Sequence, residues 1–187
     1  MRLLQTRLEG PKLIEPTVLG DERGFFCETY RRGVLSELGI TEEMVQDNHS
    51  RSRRATVRGM HFQIGTGISK LVRCARGAIL DVVVDIRRGS PTFGQWEAFE
   101  LDDENMRLAY CPIGFAHGFC ALSDQADVLY KQSGYYDPQV ERGIKYDDPD
   151  IGIGWPAGLE LMASPRDMVA PRLQNVADEL PFVYQQE

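Results

Sequence analysis

The sequence predicts an all-β protein, a sandwich, jelly roll or barrel, and three observations predict it. Short runs rich in valine, isoleucine, leucine and aromatic residues recur along the chain. Glycine (18 residues) and proline (10 residues) fall between them as turn punctuation. Helical apolar spacing is confined to a few short stretches. Closely spaced β-branched runs separated by turn residues are the pattern of double-layered or closed antiparallel sheets. With 187 residues, 42% of them hydrophobic, the chain is expected to form one domain spanning residues 1–187 around a sizeable core.

In chain order, Thr17-Val18-Leu19 and Gly24 to Tyr30 read as strands flanking the turn Gly20-Asp21-Glu22-Arg23. Arg31 to Leu38 has room for two helical turns, stopped by Gly39. Lys70 to Cys74 reads as a strand running up to a turn at Gly77, followed by Ala78 to Ile86, the most β-branched run in the chain. Trp96 to Leu101, Arg107 to Tyr110, Phe119 to Leu122 and Asp127 to Ser133 continue the series. Val176 to Leu180 makes at most one helical turn. The chain from Pro156 onward reads as an irregular wrap, approached through the turns Asp147-Asp148-Pro149 and Trp155-Pro156. Within Ala78 to Ile86, period two places Asp81 and Asp85 on one face and Leu80, Val82, Val84 and Ile86 on the other. A solvated acidic face is the plain expectation, most readily for Asp85. Asp81, deeper in the run, suits the wall of a site or a histidine partner.

A net charge of −7 argues against nucleic acid as a partner. No run of about eighteen apolar residues marks a membrane span, and Met1 to Pro16 lacks the apolar core of a signal peptide. Cys27, Cys74, Cys111 and Cys120 are widely spaced, with no C-x-x-C. Four reduced thiols in a cytoplasmic protein are expected.

The chain has three histidines. His61 and His117 lie in apolar, glycine-flanked segments, Arg58-Gly59-Met60-His61-Phe62-Gln63 and Pro112 to Phe119, whereas His49 lies in a polar stretch and reads as structural. An imidazole in an apolar pocket is suited to carry protons near neutral pH, although by position alone both would pass for satisfied core residues. Arg51, Arg53, Arg54 and Arg58 cluster in an otherwise acidic chain. Such a cluster can hold a phosphate or simply line an exposed loop, and Arg58, next to the His61 segment, fits the loop reading least. Lys70 opens an apolar strand, so its ammonium can point into a cavity and face a developing oxyanion, or snorkel at an edge. Tyr130 alternates away from Leu129 and by position suits the core. Tyr135-Tyr136 can stack on a base or merely pack. Asp167, in Ser164-Pro165-Arg166-Asp167, looks like an ordinary turn acid. Jelly-roll metal sites usually offer two histidines as H-x-H, then a carboxylate and a distant histidine. Here Gln63 occupies the second position, so no metal is expected.

Taken in order, these segments resemble the dTDP-4-dehydrorhamnose 3,5-epimerase family, a metal-free branch of the cupins. The resemblance runs from about Glu15 to Pro171. It is carried by Gly20 to Phe26 with Glu28, Gln46 to Ser50, Arg58 to Gln63, Lys70 to Val72, Asp81 to Arg87, Ser90 to Gly94, Pro112 to Phe119, Tyr130, Tyr135-Tyr136 and Trp155-Pro156. It implies a cupin-type jelly-roll β-barrel (double-stranded β-helix) with a few short helices, assembled as a homodimer with a strand exchanged near the amino terminus. The implied substrate is a nucleotide-linked 4-keto-6-deoxyhexose, epimerised at C3 and C5 without a cofactor. By this resemblance His61 is the base, oriented by Asp167; Tyr130 is the acid on the opposite face; Lys70 sits at the C4 carbonyl oxygen. Arg58 and Arg23, the latter from the other subunit, hold the diphosphate. Glu28, Gln46 and Asn48 line the nucleotide end, Tyr136 stacks on the base, and Phe26 belongs to the substrate-binding set. His117, paired with Asp81, borders the sugar, and Gln63, Glu141 and Arg166 complete the substrate-binding set. The chain departs from the family pattern at Ile68, where glutamine is frequent, at Arg166, where lysine is common, and at Tyr146-Asp147-Asp148. Related readings are an epimerase acting at one carbon only, a sugar-nucleotide 3,4-ketoisomerase, a non-catalytic carbohydrate-binding jelly roll and a metal-dependent oxygenase.

Overall fold

The computed structural model describes residues 1–185. Its strands are β1 (Arg2–Leu4), β2 (Lys12–Glu15), β3 (Val18–Asp21), β4 (Gly24–Cys27), β5 (Gln46–Arg53), β6 (Val57–Gln63), β7 (Lys70–Arg76), β8 (Ala78–Asp85), β9 (Trp96–Asp102), β10 (Leu108–Cys111), β11 (Phe115–Ala121), β12 (Gln125–Gln132) and β13 (Glu141–Gly143). The helices are α1 (Arg32–Glu37) and α2 (Pro165–Met168), with 3-10 turns at Leu173–Asn175 and Ala177–Glu179. One sheet has the order β1-β2-β10-β7-β12-β5, the other β13-β6-β11-β8-β9, and β3–β4 is a separate hairpin. All pairings within the sheets are antiparallel.

The sheets face each other as a jelly roll. Val72, Cys74, Ala109 and Val128 from the first sheet pack with Ile79, Val83, Phe99, Leu101 and Phe119 from the second. Alternation along β8 sends Ile79 and Val83 inward and Val82 and Val84 outward. The outward set is covered in turn by Ile144, Ile151, Leu173 and Leu180 from the carboxy-terminal wrap. Helix α1 covers the outside of the first sheet through Leu35, beside Ile14, Leu71 and Leu108.

This double coverage overturns the solvated acidic face. Asp81 and Asp85 are both 0% exposed, because β8 is buried on both sides. Asp85 accepts from Arg87 Nη2 at 2.8 Å, Ser90 Oγ at 2.6 Å and Thr92 Oγ1 at 2.7 Å. The Arg87 guanidinium itself lies over the rings of Phe115 and Tyr184. Burial alone would raise the Asp85 pKa, but these bonds hold it below the usual carboxylate range.

Strands β1, β2, β5, β6 and β13 are absent from the sequence expectation. β5 shows why. Its residues run QDNHSRSR, with nothing apolar. Its burial nonetheless alternates strictly, Gln46, Asn48, Ser50 and Ser52 being the less exposed set, and it pairs with β12 from Gln46↔Gln132 to Arg53↔Gln125. Its inner face carries hydrogen bonds in place of apolar contacts, through Gln46, Asn48 and Ser52, and borders a cavity at Ser50, so polarity there does not argue against a strand.

Candidate active site

The cavity measures about 550 Å³, within the usual range for small-molecule sites. His61, Lys70, His117, Tyr130, Arg58, Glu141, Arg166 and Asp167 all line it. They reach it from β6, β7, β11, β12, β13 and α2, so residues distant in sequence converge on one space.

The glycines around His61 have local reasons. β6 and β11 approach most closely at Gly59 and Gly118, where a Cβ on Gly118 would lie 2.7 Å from the Arg58 carbonyl oxygen. The register shifts at this crossing, so that His117 lies opposite His61 while Phe119 lies opposite Arg58. Such an irregularity re-aims side chains beside it. Gly143 on β13 faces His61, where a Cβ would stand 3.4 Å from the ring.

His61 Nε2 donates to Asp167 Oδ1 across 2.7 Å. Asp167 is buried and sits in the first turn of α2, where Ser164 Oγ accepts from its backbone N–H at 3.1 Å. Burial works to raise the Asp167 pKa. The bond from His61, with help from Ser164 and the Gly59 backbone, overcomes it and keeps the carboxyl ionised below its ordinary value. A carboxylate accepting at Nε2 fixes the proton there and leaves the lone pair on Nδ1.

Lys70 is half-buried, and loss of hydration lowers its pKa, partly offset by the negative charges of Glu141 and Asp81. Tyr130 has its pKa raised, first by burial and then by Glu141, against the opposing charge of Arg58. His117 Nε2 bonds Asp81 Oδ2 at 2.8 Å. Asp81 lies behind the imidazole, wholly enclosed, so it meets the cavity only through His117. Glu141 accepts from Tyr136 OH at 3.0 Å and from Arg166 Nη1, tying three residues of the rim together. Gln63 accepts from the Asp137 backbone N–H at 3.1 Å. Gln46 and Asn48 face inward from β5, and Gln46 Oε1 accepts from the Tyr136 backbone N–H at 2.8 Å.

Arg23, Phe26 and Glu28 are not brought to this cavity by the chain's own fold, and Gln46, Asn48, Gln63 and Tyr136 are not among the residues that line it. Arg23 and Phe26 sit on the β3–β4 hairpin and line a separate surface hollow. Arg23 is ion-paired with Asp21 at 2.5 Å, and Glu28 with Arg31 at 2.5 Å. The arginine cluster divides likewise. Arg51 forms a bidentate pair with Asp127 on the outer surface, which holds that carboxyl down to about 2, whereas Arg58 hooks onto Ser52 Oγ at 3.0 Å and reaches the cavity. Ser50 and Gln132 were missed by sequence reasoning. Ser50 borders the cavity with a buried, unpartnered hydroxyl, and Gln132 bonds both inward amides of β5. Assigning β5 as a strand from its period-two polarity would have found the first. Among the described residues no group of three or more histidine, cysteine, aspartate or glutamate side chains is placed to hold a metal ion.

A jelly roll with an ion-paired imidazole, an ammonium and a phenol around one cavity defines an enzyme of the proton-transfer, isomerase class. Comparison with known proteins makes this specific. The family model described as dTDP-4-dehydrorhamnose 3,5-epimerase matches residues 5–175, and the chain belongs to that family. The dTDP-4-dehydrorhamnose 3,5-epimerase of Methanothermobacter thermautotrophicus is 48% identical over 168 residues, 89% of this chain and 91% of the relative. A dTDP-4-dehydrorhamnose 3-epimerase from Streptomyces niveus is 44% identical, over 95% of this chain and 86% of its own length. Among solved structures, a dTDP-6-deoxy-D-glucose-3,5-epimerase from Legionella pneumophila Philadelphia 1, in complex with dTDP-4-keto-L-rhamnose, superposes with a TM-score of 0.96 at 46% identity and covers 99% of both chains. The fold is thus the cupin-type jelly roll. No helix of the described residues is long and apolar enough to cross a membrane.

Proposed function

We propose that this protein inverts C3 and C5 of dTDP-4-dehydro-6-deoxy-D-glucose to give dTDP-4-dehydro-L-rhamnose, by proton removal and return through an enolate. The observation that carries this reading is that the His61–Asp167 pair, Lys70 and Tyr130 line one cavity.

A C–H bond next to a ketone is acidic because the carbanion delocalises onto oxygen. His61, with Nε2 held by Asp167, offers Nδ1 as the base, and Asp167 stabilises the imidazolium that results. Lys70 meets the charge growing on the C4 oxygen, which favours the enolate over the ketone. Tyr130 returns a proton to the opposite face. Its raised pKa keeps the phenol protonated through the neutral range, as a donor must be. Inversion at the second carbon repeats the cycle after the sugar presents its other acidic C–H. Arg58 holds the diphosphate, Gln46, Asn48 and Tyr136 receive the nucleotide, and His117, backed by Asp81, borders the sugar.

The same reading makes residues 1–187 one domain of a cytoplasmic homodimer, in which the β3–β4 hairpin of one subunit supplies Arg23, Phe26 and Glu28 to the other's cavity. Its support is the exposure of Leu19 (62%), Phe25 (63%) and Phe26 (69%) on that hairpin, together with the edge position of β5. A single-carbon epimerase is the second reading, favoured by the likeness to the Streptomyces niveus 3-epimerase. Turnover of the 4-keto substrate in deuterated water separates the two. Product NMR showing deuterium at both C3 and C5 fits double epimerisation, and label at one carbon fits the second reading. An absence of label and product from active-concentration enzyme contradicts both.

A further inference from the structure

Gln132 closes β12 on the inward face, two residues beyond Tyr130, and only 3% of it is exposed. Its register partners are Gln46 on β5 and Lys70 on β7. It therefore stands between the polar inner face of β5 and the wall that carries Lys70 and Tyr130. Its Oε1 accepts from Asn48 Nδ2 at 2.7 Å and from Gln46 Nε2 at 3.3 Å. Gln46 Nε2 also donates to Asn48 Oδ1 at 2.9 Å.

An amide side chain can turn over and exchange donor for acceptor. Here one backbone group decides the order for all three. The Tyr136 N–H donates to Gln46 Oε1 at 2.8 Å, so Gln46 must direct its NH2 toward Asn48 Oδ1. Asn48 must then direct its own NH2 toward Gln132 Oε1, and Gln132 ends the chain as a double acceptor. Turning over any one amide would set two oxygens, or two NH2 groups, against each other in a low-dielectric pocket. No other residue described closes the chain in this way.

We infer that Gln132 is a positioning residue, which fixes the donor–acceptor order of Gln46 and Asn48 and, through Gln46, the seat of the Tyr135–Tyr136 segment, so that the nucleotide end of the cavity is formed before the ligand arrives. This inference rests on the proposed reading that Gln46 and Asn48 line the nucleotide end. It assigns Gln132 to binding and not to the chemical step. A preformed site loses less free energy to ordering when it binds.

Gln132→Met keeps the reach of the side chain and removes the accepting oxygen. Calorimetric titration with dTDP, which lacks the sugar, is expected to show about tenfold weaker binding than wild type, the size of one lost hydrogen bond in a buried site. KM for the sugar nucleotide rises about as much, and kcat stays within roughly threefold. Gln132→Glu retains two acceptor oxygens and restores dTDP binding to within roughly threefold of wild type. Gln132→Asn keeps the amide but withdraws it by one carbon, and gives the same loss as methionine, so the test survives if the methionine variant fails to fold. Wild-type dTDP affinity in Gln132→Met or Gln132→Asn overturns the inference, as does a fall in kcat with KM unchanged. Wild-type protein that neither binds dTDP nor turns over the sugar nucleotide overturns the functional reading itself.

Discussion

Burial shifts the proton affinities of Lys70 and Tyr130 in opposite directions, and each shift bears on a role. The Lys70 ammonium has lost hydration, so it gives up its proton at lower pH than an ordinary lysine, whose pKa is about 10.4. The Tyr130 phenol is held protonated to higher pH than an ordinary tyrosine, about 10. If the charged lysine stabilises the enolate, activity is lost as pH rises through the lowered lysine pKa, before the phenol ionises. A profile of kcat/KM against pH is therefore expected to fall on the alkaline side below about pH 10. Lys70→Arg, whose cation does not titrate in this range, should lower activity at every pH yet lack that alkaline fall. An identical alkaline limb in both proteins would remove Lys70 from the role. Most of these side chains were visible in the sequence only as an ordered set. His61, Tyr130 and Asp167 each look like core or turn residues by position, because nothing local reveals that they share a cavity. Gln132 falls inside the expected strand Asp127 to Ser133, yet its role was not legible, since nothing local shows which polar groups its inward face meets.

Among the elements, those with apolar inner faces were legible: β7, β8, β9 and β12 fall within a few residues of expectation because their side chains fill the core. β5 was not, because its inward residues carry hydrogen bonds instead of apolar contacts, with only Ser50 on the cavity. β8 shows the converse error, an acidic face that alternation suggested was wet and that turns inward toward the facing sheet, where it stays dry. Asp85 on that strand is a stability element distinct from the site. It fastens the β8–β9 connection through Arg87, Ser90 and Thr92. Asp85→Ala leaves the Arg87 cation without its buried partner and is expected to cost about 3–5 kcal/mol in urea unfolding. A cost below about 1 kcal/mol would show that the network contributes little. The pH sign follows from lowered carboxyl pKa values. The stabilisation from Asp85 and Asp127 is fully present above the unfolded aspartate value of about 3.9. It is lost as pH falls through the lower folded values, near 2 for Asp127. The Asp85→Ala penalty should shrink accordingly between pH 5 and pH 2.5.

For the whole molecule, the open question the fold poses is what meets the β3–β4 hairpin. It presents Leu19, Phe25 and Phe26 to solvent and keeps Arg23 away from its own cavity. The proposed exchanged dimer answers both points, and it predicts complementation. Arg23→Ala and His61→Asn damage different contributors to one composite site. Each pure variant should have low activity. After mixing under subunit-exchange conditions, hybrids carry one cavity with both native contributions, and activity should rise toward one quarter of wild type, the statistical share for random exchange in a two-subunit assembly. Activity that stays at the average of the two variants would mean that each subunit builds its site alone.

The central claim is that proton removal and proton return come from opposite walls of one cavity, His61 on one and Tyr130 on the other. The most direct test incubates the 4-keto sugar nucleotide in deuterated water with wild type, His61→Asn and Tyr130→Phe, and locates label by NMR in both recovered substrate and epimerised product. Wild type should place deuterium in inverted product, Tyr130→Phe should place it mainly in substrate of unchanged configuration, and His61→Asn should place it in neither. Rapid label uptake by His61→Asn, or undiminished inversion by Tyr130→Phe, would contradict the account.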